Sequence, residues 1–563
     1  MVTRRNFIIT SAAAIAALTL DKKNILAAER SKPLGAGNPL QIPTEISGGQ
    51  LTVGKTSIQI LSGNQTDILS INAVYPPPTI RVKKGDSFSA HILNNLSDDV
   101  VIHWHGLHVP SAMDGHPMNA VKTGVTADIN YSVINRAGTY FYHSHTDMMT
   151  AEQVYRGLAG MFIIDDDEDK ALPLPRGEFE VPLMISDKLF DSNNQLVYSP
   201  TMDDMLRGWL GDTIMVNGTP DPFLDVAPTL YRFRIVNASN SRIYKIALSD
   251  NSEFTVISGD GGLLEAPVKT TSCFLANAER LDILIDFSKY QQGSSITLRS
   301  ISFSTSDAPP PAPIPAQGAA LDILRFDVTK TGDSKASIPA ILSSIVKYLP
   351  ADSKTTRTFG LTSSSVAHAI NGKTFVMDRI DTHVPFNTLE TWKFFNASEH
   401  IHPMHVHATQ FQVLDRGGSA PTAPNDLGWK DTVMVNPFET VNVLVKFDAY
   451  DGVYLVHCHN LEHEDHGMMS NFMVDNGGSV KDTQTADTQL SVYPNPASDK
   501  TTITLLDTDR KKELFLFDTS GKVVLKEIIP DGLQTFQLNV SSLATGSYRV
   551  ALGDRSAILT VIK

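Results

Sequence analysis

Residues 454–469, YLVHCHNLEHEDHGMM, place one of the two cysteines of this 563-residue chain between two histidines. The residues before the cysteine are apolar, aromatic or β-branched, a composition typical of a buried β-strand. In a strand, side chains two positions apart share a face about 6.6 Å from each other, and the side chain between them points the other way. His457 and His459 can therefore bind metal on one face while Cys458 faces a different metal on the other.

Strand patterns of this kind dominate the chain. Runs such as YRFRIVNA (231–238), ITLRSISF (296–303) and VNVLVKFD (441–448) are rich in β-branched and aromatic residues and are bounded by Gly, Pro, Asn and Asp. Segments with helical periodicity are scarce. We therefore predict an all-β chain with short helices at most.

The overall composition limits the class of protein. Hydrophobic residues make up 42% of the chain and charged residues 19%, which is ordinary for a soluble globular protein. A net charge of −14 argues against a nucleic-acid-binding protein, which would show a basic face. No segment beyond the N-terminus approaches the ~20 apolar residues of a membrane span, so we expect none in the mature protein. Cys273, in the apolar run SCFLA, is expected to be buried and inert.

Internal similarity divides the chain into repeats. HILNN (91–95), RIVNAS (234–239) and KFFNAS (393–398) each end an apolar run with an asparagine, and these asparagines are spaced by 143 and 159 residues. This spacing predicts three β-sandwich domains, at residues 45–170, 171–335 and 350–476. A Gly-x-Tyr-x-x-His-x-His pattern occurs at 138–145 and again at 452–459. The first and third domains are thus predicted to share a histidine-bearing strand that the middle domain lacks.

Both ends of the chain predict export. Arg4 and Arg5 precede a short apolar segment and small residues near position 28, a pattern typical of a twin-arginine signal peptide over residues 1–28. An ordinary signal peptide or a membrane anchor is the alternative, and all three take the chain out of the cytoplasm. A polar linker (477–489) precedes residues 490–563, which have a strand pattern of their own and contain no histidine or cysteine. We predict a small C-terminal β-sandwich without site chemistry.

The histidines are distributed far from randomly. Independent placement of 17 histidines predicts roughly 0.5 His-x-His pairs, yet five pairs occur, at 103/105, 143/145, 400/402, 405/407 and 457/459. A thiolate, two imidazoles and a distant thioether form the ligand set of a blue-copper electron-transfer site. Cys458, His463 and Met468 supply three of these ligands, and His402 is available as the fourth. A structural zinc site would use only four ligands and would leave the other paired histidines unexplained.

Four segments together resemble the multicopper oxidase family: HWHG (103–106), HSH (143–145), HPMHVH (402–407) and HCHNLEHEDHGM (457–468). The resemblance spans roughly residues 45–476 and is closest to the bacterial branch of laccases and cuprous oxidases. It implies three cupredoxin-like Greek-key domains and four copper ions, with a trinuclear cluster between the first and third domains.

The resemblance also implies a ligand for each copper ion. The type 1 ion would be held by His402, Cys458, His463 and the axial Met468, and the type 2 ion by His103 and His405. The type 3 pair would be held by His105, His143, His145, His407, His457 and His459. Electrons would pass from Cys458 to His457 and His459, and Asp114 and Glu464 match the acidic positions that relay protons.

The sequence gives less information about the reducing substrate. The cuprous-oxidase branch has a methionine-rich insert in the third domain, but residues 340–375 contain no methionine. Its aspartate and methionine before the type 1 histidine are replaced by Ser398 and His400. These departures favour an open type 1 site that oxidises phenols or aromatic amines with O2. Cuprous ion oxidation for copper homeostasis is the alternative, and a non-catalytic copper-binding scaffold of the cell envelope is a third possibility.

Several further expectations concern single residues and the tail. Glu399 and His400 are expected at a solvated rim, His466 at the surface near the proton path, and the methionines Met113, Met118, Met148 and Met149 in packing. The tail resembles the sorting domain of the type IX secretion system through VYPNPASD (492–499) and LATGSYRV (543–550). This implies an extracellular or cell-surface location, reached through the periplasm and the export machinery. We expect a monomer.

Overall fold

The structure, a computed structural model, describes residue 34 and residues 36–306, 309–364 and 367–476. In the C-terminal segment it describes residues 492–493, 497–504, 512–518, 522–530, 533, 535–552 and 555–563. The predicted signal peptide (1–28) and linker (477–489) lie outside the described residues. The chain forms two compact units, residues 1–476 and 477–563, and each is described by itself.

The first sandwich of the larger unit packs a five-stranded sheet, in the order β2-β5-β10-β9-β7, on a four-stranded sheet, β4-β3-β6-β8. Its core contains Trp104, which packs edge to face on Phe88 with 5.1 Å between ring centroids. The strands are β2 (Glu45–Ile46), β3 (Gly49–Ile58), β4 (Thr66–Ile71), β5 (Thr79–Lys83), β6 (Ser87–Asn94), β7 (Ile102–His105), β8 (Thr126–Ser132), β9 (Gly138–Ser144) and β10 (Ala159–Asp165).

The middle sandwich has a seven-stranded sheet, β13-β12-β11-β15-β20-β17-β18, and a six-stranded sheet, β1-β14-β22-β21-β16-β19. Strand β1 (Asn38–Pro39) precedes the first sandwich in the chain but pairs with β14 of the middle one. The other strands are β11 (Glu180–Lys188), β12 (Thr213–Val216), β13 (Thr219–Pro220), β14 (Pro222–Val226), β15 (Leu230–Asn237), β16 (Tyr244–Leu248), β17 (Phe254–Gly259), β18 (Gly262–Thr270), β19 (Ser272–Leu275), β20 (Arg280–Asp286), β21 (Ser295–Ser300) and β22 (Leu321–Val328).

The third sandwich has two five-stranded sheets, β24-β23-β26-β30-β28 and β25-β32-β31-β27-β29. Its core includes both Cys458 and Met468. The strands are β23 (Thr356–Ser364), β24 (Ala367–Ile370), β25 (Ile380–Pro385), β26 (Leu389–Asn396), β27 (His402–Val406), β28 (Phe411–Arg416), β29 (Thr432–Val435), β30 (Thr440–Lys446), β31 (Gly452–Cys458) and β32 (Met469–Asp475).

The helices of the described residues are short, which confirms the predicted all-β class. The α-helices are α1 (Thr150–Tyr155), α2 (Asp167–Ala171), α3 (Met202–Arg207) and α4 (Leu461–Asp465). Single 3₁₀ turns occur at Ser111–Met113, Pro117–Asn119, Gly177–Phe179, Phe287–Lys289, Pro350–Asp352 and Pro424–Asp426. Among the described residues, no helix combines the length and apolar character that crossing a membrane would require.

The repeated asparagine has the same structural role in each sandwich. Asn94, Asn237 and Asn396 are fully buried at the ends of β6, β15 and β26. Each side-chain oxygen accepts a hydrogen bond from the backbone N–H two residues later, at 2.8, 3.0 and 2.9 Å respectively. The side-chain amides donate to nearby backbone carbonyls. The asparagine thus satisfies backbone groups where the chain leaves the sheet, which explains its recurrence.

The histidine-bearing strands of the first and third sandwiches have matching registers. His103 on β7 lies opposite His143 on the antiparallel strand β9. His405 on β27 lies opposite His457 on the antiparallel strand β31. Each sandwich therefore presents paired histidines at the face where the two sandwiches meet.

The C-terminal unit forms its own small sandwich, as predicted. Its sheets have the orders β33-β34-β37 and β36-β35-β38-β39, around a core that includes Leu514, Leu516, Val550 and Leu559. The strands are β33 (Val492–Tyr493), β34 (Lys500–Thr504), β35 (Lys512–Phe517), β36 (Val523–Ile529), β37 (Thr535–Asn539), β38 (Gly546–Leu552) and β39 (Arg555–Val561).

Candidate metal centres

A buried cysteine and two histidines meet where β31 ends. Cys458 Sγ lies 3.5 Å from His402 Nδ1 and 3.7 Å from His463 Nδ1, and the two Nδ1 atoms are 3.1 Å apart. Asn460 caps helix α4, and its side chain accepts a hydrogen bond from the His463 N–H at 3.4 Å. All three ligand-type side chains are fully buried, and burial raises the pKa of the Cys458 thiol. We call Cys458, His402 and His463 the cysteine site.

Met468 is held next to the cysteine site by backbone hydrogen bonds. Its carbonyl oxygen accepts from the Cys458 N–H at 3.0 Å, and its N–H donates to the His463 carbonyl at 2.9 Å. The side chain is fully buried in the core that contains Cys458. The turn after α4 therefore returns the chain to the cysteine, as the spacing Cys458–His463–Met468 requires.

A second cluster lies between the first and third sandwiches. We call it the histidine pocket, and it consists of His103, His105, His143, His145, His405, His407, His457 and His459, all buried. The shortest distances between Nε2 atoms are 3.4 Å for His103 and His405, 3.3 Å for His143 and His459, 3.3 Å for His145 and His457, and 3.0 Å for His407 and His457. Each of the first three pairs joins a histidine of one sandwich to a histidine of the other.

The outer nitrogens of these imidazoles show what the pocket can hold. His103 Nδ1 donates to the Asp114 carbonyl at 2.6 Å, and His405 Nδ1 donates to the Asp431 carbonyl at 2.8 Å. A neutral imidazole has a single N–H, so these bonds leave lone pairs on the two Nε2 atoms that face each other. The buried His105 Nδ1 has no hydrogen-bond partner either. Facing lone pairs repel unless a cation lies near both, so the donor set fits a metal ion.

Burial favours the neutral form of seven imidazoles of the histidine pocket. Desolvation lowers the pKa of both His143 and His145 to about 3. Desolvation, with repulsion from neighbouring charged groups, also lowers the pKa well below its usual value for His103, His105, His405, His407 and His459. Neutral imidazole is the form that binds metal, so these histidines are available as ligands at neutral pH.

Two acidic side chains from the first and third sandwiches contact the histidine pocket at the positions predicted for them. Asp114 Oδ2 accepts from His407 Nδ1 at 2.7 Å, and burial raises the pKa of Asp114 well above its usual value. Glu464 lies 3.1 Å from His457 Nδ1 and 3.5 Å from His145 Nδ1. Burial raises the pKa of Glu464, but its interactions with these two imidazoles, including a hydrogen bond from His457, outweigh burial and the net direction is downward.

The cysteine site is covered, contrary to the open site predicted from sequence. His463 Nε2 donates to the Leu206 carbonyl at 3.0 Å, and Leu206 belongs to helix α3 of the middle sandwich. His368 stacks on His463 with 4.0 Å between ring centroids, and its Nε2 donates to the Met205 carbonyl at 2.9 Å. His402 Nε2 bonds Ser398 Oγ at 2.9 Å. The outer nitrogens of both histidines are therefore occupied by protein atoms.

Helix α3 is held firmly over the cysteine site. Thr201 and Asp204 form a reciprocal capping box at its N-terminus, with bonds of 3.2 and 2.8 Å. Gly208 ends the helix with a φ of +99°, and a Cβ there would lie 2.2 Å from Ser241 Oγ. Neither α3 nor a role for His368 was predicted from the sequence, because neither contains a paired histidine or lies near the cysteine motif in the chain.

Some single-residue expectations are confirmed and others are wrong. Cys273 is buried and free, as predicted, and Glu399 is exposed. Met148 and Met118 were expected to pack, but they are 75% and 48% exposed, the first in a turn and the second in a single 3₁₀ turn. His466 was expected at the surface near the proton path. It is half-buried instead, and its carbonyl accepts from the N–H of His368, on the side of the cysteine site.

The chain belongs to the multicopper oxidase family. Residues 52–169, 180–308 and 347–478 each match a family model described as multicopper oxidase. The predicted family is therefore confirmed, the protein is an oxidoreductase, and membership implies copper as its metal. Residues 490–563 were predicted to resemble a sorting domain, and residues 491–563 match the model of a secretion system C-terminal sorting domain.

Individual relatives cover most of the larger unit. A laccase from Bacillus subtilis (strain 168) is 32% identical over 72% of this chain and 89% of its own. A bilirubin oxidase from Albifimbria verrucaria is 34% identical over 72% of each chain. The crystal structure of McoA, a multicopper oxidase from the hyperthermophile Aquifex aeolicus, superposes with a TM-score of 0.72 at 37% identity, covering 78% of this chain and 100% of that one.

Proposed function

We propose that the protein couples one-electron oxidations of a small reductant to the four-electron reduction of O2 to water. The observation that carries this proposal is the pairing of imidazole Nε2 atoms across the histidine pocket, next to a cysteine site that shares the strand β31. When copper is bound, it supplies the one-electron and O2 chemistry, and the protein supplies positioning.

We assign ligands to four copper ions from the family resemblance, and two of the groups, His402 with Cys458 and His463 and His145 with His407 and His457, have ligand atoms within 4.8 Å of one another. The cysteine site would hold the type 1 ion with His402, Cys458, His463 and the axial Met468. The facing pair His103 and His405 would hold the type 2 ion. The type 3 pair would be held on one side by His145, His407 and His457, and on the other by His105, His143 and His459.

The strand that joins the two sites provides a short path for electrons. Cys458 is covalently adjacent to His457 and His459, which point into the histidine pocket while the thiol points to the cysteine site. The Cys458 carbonyl also accepts a hydrogen bond from His457 Nδ1 at 3.1 Å. An electron that enters at the thiol thus has one residue to cross before it reaches imidazoles of the pocket.

Oxygen reduction consumes protons, and we propose that Asp114 and Glu464 deliver them. Both carboxyl groups are fully buried and contact the outer nitrogens of pocket histidines. Asp114 Oδ1 has no hydrogen-bond partner in the described part of the chain, and Glu464 lies 3.1 Å from His457 Nδ1. A proton on Asp114 Oδ1 can therefore be exchanged without first breaking a bond to the protein, and one on Glu464 can be exchanged next to a pocket imidazole.

For the reductant, we propose a phenol or aromatic amine that binds beside α3. A cavity of about 190 Å³ lies between this helix and the proline-rich loop 309–317. Its lining includes Trp209, Pro310, Pro311 and Ile314, apolar surfaces that suit an aromatic ring, together with Arg207. Leu206, next to Arg207 in the chain, bonds His463 through its carbonyl. An electron would pass through that hydrogen bond, since the covered imidazole excludes direct contact with the substrate.

Cuprous ion oxidation is a second candidate, and helix α3 supports it. The helix sequence MDDMLR contains two methionines, Met202 and Met205, and Met202 is 57% exposed. Thioethers bind Cu(I) well, and the adjacent Asp203 and Asp204 add negative charge near the helix surface. The sequence departures in the third domain argue against a copper site there, but the middle domain supplies soft ligands above the cysteine site instead.

Parallel turnover assays on the copper-loaded protein distinguish the two reductants. Ile314→Trp, which fills the cavity, should raise KM for a bulky phenol several-fold and leave Cu(I) oxidation unchanged. If Cu(I) is the substrate, Met202→Leu combined with Met205→Leu should impair Cu(I) oxidation and leave KM for the phenol unchanged. Ile341→Trp, at a site that is 75% exposed, serves as the control for the added ring. An aromatic reductant would be contradicted if the protein oxidised phenols only when excess copper was present and if Ile314→Trp left that turnover unchanged.

We further propose that the protein acts outside the cytoplasm, exported through the twin-arginine route and then sorted by its C-terminal domain to the cell surface or medium. The family match of residues 491–563 supports the second step. A chain that ends at residue 476 should accumulate in the periplasm while it retains copper and oxidase activity. Unchanged secretion of the shortened chain would contradict the sorting role.

A third candidate is a non-catalytic copper-binding scaffold. A copper-loaded protein with no O2 uptake would favour it.

A further inference from the structure

The histidine pocket contains two stacked imidazole pairs with similar geometry. His103 stacks on His407 with 3.8 Å between centroids and 22° between planes. His105 stacks on His405 with 3.7 Å and 16°. Each pair takes one ring from the first sandwich and one from the third.

An aspartate contacts the outer nitrogens of each stacked pair. Asp114 contacts His407 Nδ1 through its carboxylate at 2.7 Å and His103 Nδ1 through its carbonyl at 2.6 Å. Asp431 contacts His105 Nε2 through its carboxylate at 3.1 Å and His405 Nδ1 through its carbonyl at 2.8 Å. The two aspartates thus occupy equivalent places, one from each histidine-bearing sandwich.

The two places differ in what holds the aspartate. Arg280 of the middle sandwich binds both carboxylate oxygens of Asp431, with 2.6 Å between Nη1 and Oδ1 and a close contact between Nη2 and Oδ2. Among the described residues, Asp114 has no arginine or lysine partner, and its Oδ1 has no hydrogen bond. Arg280 therefore fixes one of the two aspartates and leaves the other without a cation.

Arg280 is itself fixed at every donor. The remaining N–H groups donate to the carbonyls of Ala278 at 2.8 Å, Asp260 at 3.0 Å and Thr139 at 3.1 Å. The side chain is fully buried, and its five donors are all used. Thr139 lies on β9, the strand that leads to His143, so one guanidinium from the middle sandwich contacts both histidine-bearing sandwiches.

The glycine of the motif HWHG leaves room for the ion pair of Arg280 and Asp431 beside the histidine pocket. Gly106 follows His105 directly and has a φ of +83°. A Cβ at this position would lie 2.4 Å from Asp431 Oδ2 and 2.8 Å from Arg280 Nη2. The glycine therefore leaves the space that the ion pair occupies, and a side chain there would displace it.

We propose that Arg280 is a positioning residue for copper, which orients His105 and His405 through Asp431. The inference rests on the proposed function, since it concerns ligands assigned to copper there. By that assignment His405 is one of only two protein ligands of the type 2 ion, whereas His105 is one of three ligands on its side of the type 3 pair. Loss of orientation should therefore weaken the type 2 ion first. The middle domain, which provides no ligand, thus determines how well the trinuclear cluster is held.

The test compares Arg280→Lys with Arg232→Lys in copper-loaded protein. Arg232 is also fully buried in the middle sandwich and pairs with Asp282 and Asp169, but it contacts no histidine of the pocket. Lysine keeps the charge and loses the two-pronged contact. We expect Arg280→Lys to weaken type 2 copper retention about 10- to 100-fold against a chelator, a cost typical of outer-sphere partners. Its type 2 electron paramagnetic resonance spectrum should change while the type 1 spectrum and blue absorption stay unchanged.

Any of three results would overturn the inference. Arg280→Lys could retain type 2 copper as well as the wild type does, Arg232→Lys could lose type 2 copper to the same extent, or Arg280→Lys could lose all four copper ions equally. If Arg280→Lys does not fold, Asp431→Asn replaces it as the test variant. It breaks the same ion pair from the other side and should also lose type 2 copper selectively. A wild-type protein without a type 2 signal would contradict the proposed function instead, so the two failures are distinguishable.

Discussion

The outer nitrogen of His463 donates a hydrogen bond of 3.0 Å to the carbonyl of Leu206, although 257 residues separate the two in the chain. This bond places helix α3 of the middle sandwich over the cysteine site of the third. In the proposed function, a reductant would therefore deliver its electron through α3 or its neighbours. Electron entry would depend on two domains, whereas Cys458, His402 and His463 all come from one.

Loosening α3 should change which reductants are accepted. His368→Phe keeps a ring that can stack on His463 but loses the bond to the Met205 carbonyl, which is left without its partner. We expect kcat/KM for bulky phenols to rise several-fold, at a cost of about 1–3 kcal/mol in the free energy of unfolding. Steady-state kinetics with phenols of increasing size would measure the effect. His383→Phe, at an exposed histidine on β25, is the control, and equal kinetics in both variants would contradict a covering role.

Replacing the cysteine should separate the two copper sites. Cys458→Ser removes the thiolate but keeps the strand and its two histidines, so blue absorption and turnover of any reductant should be lost. The type 2 spectrum should remain, because its proposed ligands His103 and His405 are unchanged. Cys273→Ser is the matched control, since that thiol is buried away from the site. Retained blue absorption in Cys458→Ser would show that the thiol is not a copper ligand.

Glu464→Gln should slow oxygen reduction without slowing electron entry. Glutamine keeps the size of the side chain but cannot carry a proton, and general acid catalysis is typically worth about 10²–10⁴-fold in rate. Stopped-flow reduction of the blue copper under anaerobic conditions should match the wild type, while reoxidation by O2 should be slower by a factor in this range. Slowing of both steps alike would indicate a structural role.

The copper-free protein should lose stability in mild acid. Desolvation lowers the pKa of His143 and His145 to about 3 and that of His108 to about 4, from an ordinary value of 6.5. Below pH 6.5 the unfolded chain binds protons that the folded chain does not, so stability falls as pH falls through this window. The slope is up to about 1.4 kcal/mol per pH unit for each histidine. Chemical denaturation between pH 7 and pH 4 would measure it, and a flat profile would contradict buried neutral imidazoles.

The all-β class and the histidine pocket could be predicted because their signals are local. Strand alternation around Cys458 and the five His-x-His pairs occupy a few residues each. The burial of Asp114 and Glu464 against the pocket follows from their positions next to those motifs.

Other features depend on contacts between distant parts of the chain. Leu206 and His368 cover the cysteine site through backbone carbonyls and ring stacking, which leave no pattern in the sequence. Arg280 reaches Asp431 across 151 residues, and a single buried arginine has no signature in a chain with many charged residues. The open site was predicted because the third domain lacks a methionine-rich insert, but α3 of the middle domain and His368 of the third domain cover it instead.

The metal content of the copper-loaded protein, measured together with its electron paramagnetic resonance spectrum, tests the proposed ligand assignment. The assignment predicts four copper ions per chain, of which two, type 1 and type 2, are visible in the spectrum and the coupled type 3 pair is silent. A single visible ion, or four ions without intense blue absorption, would contradict it.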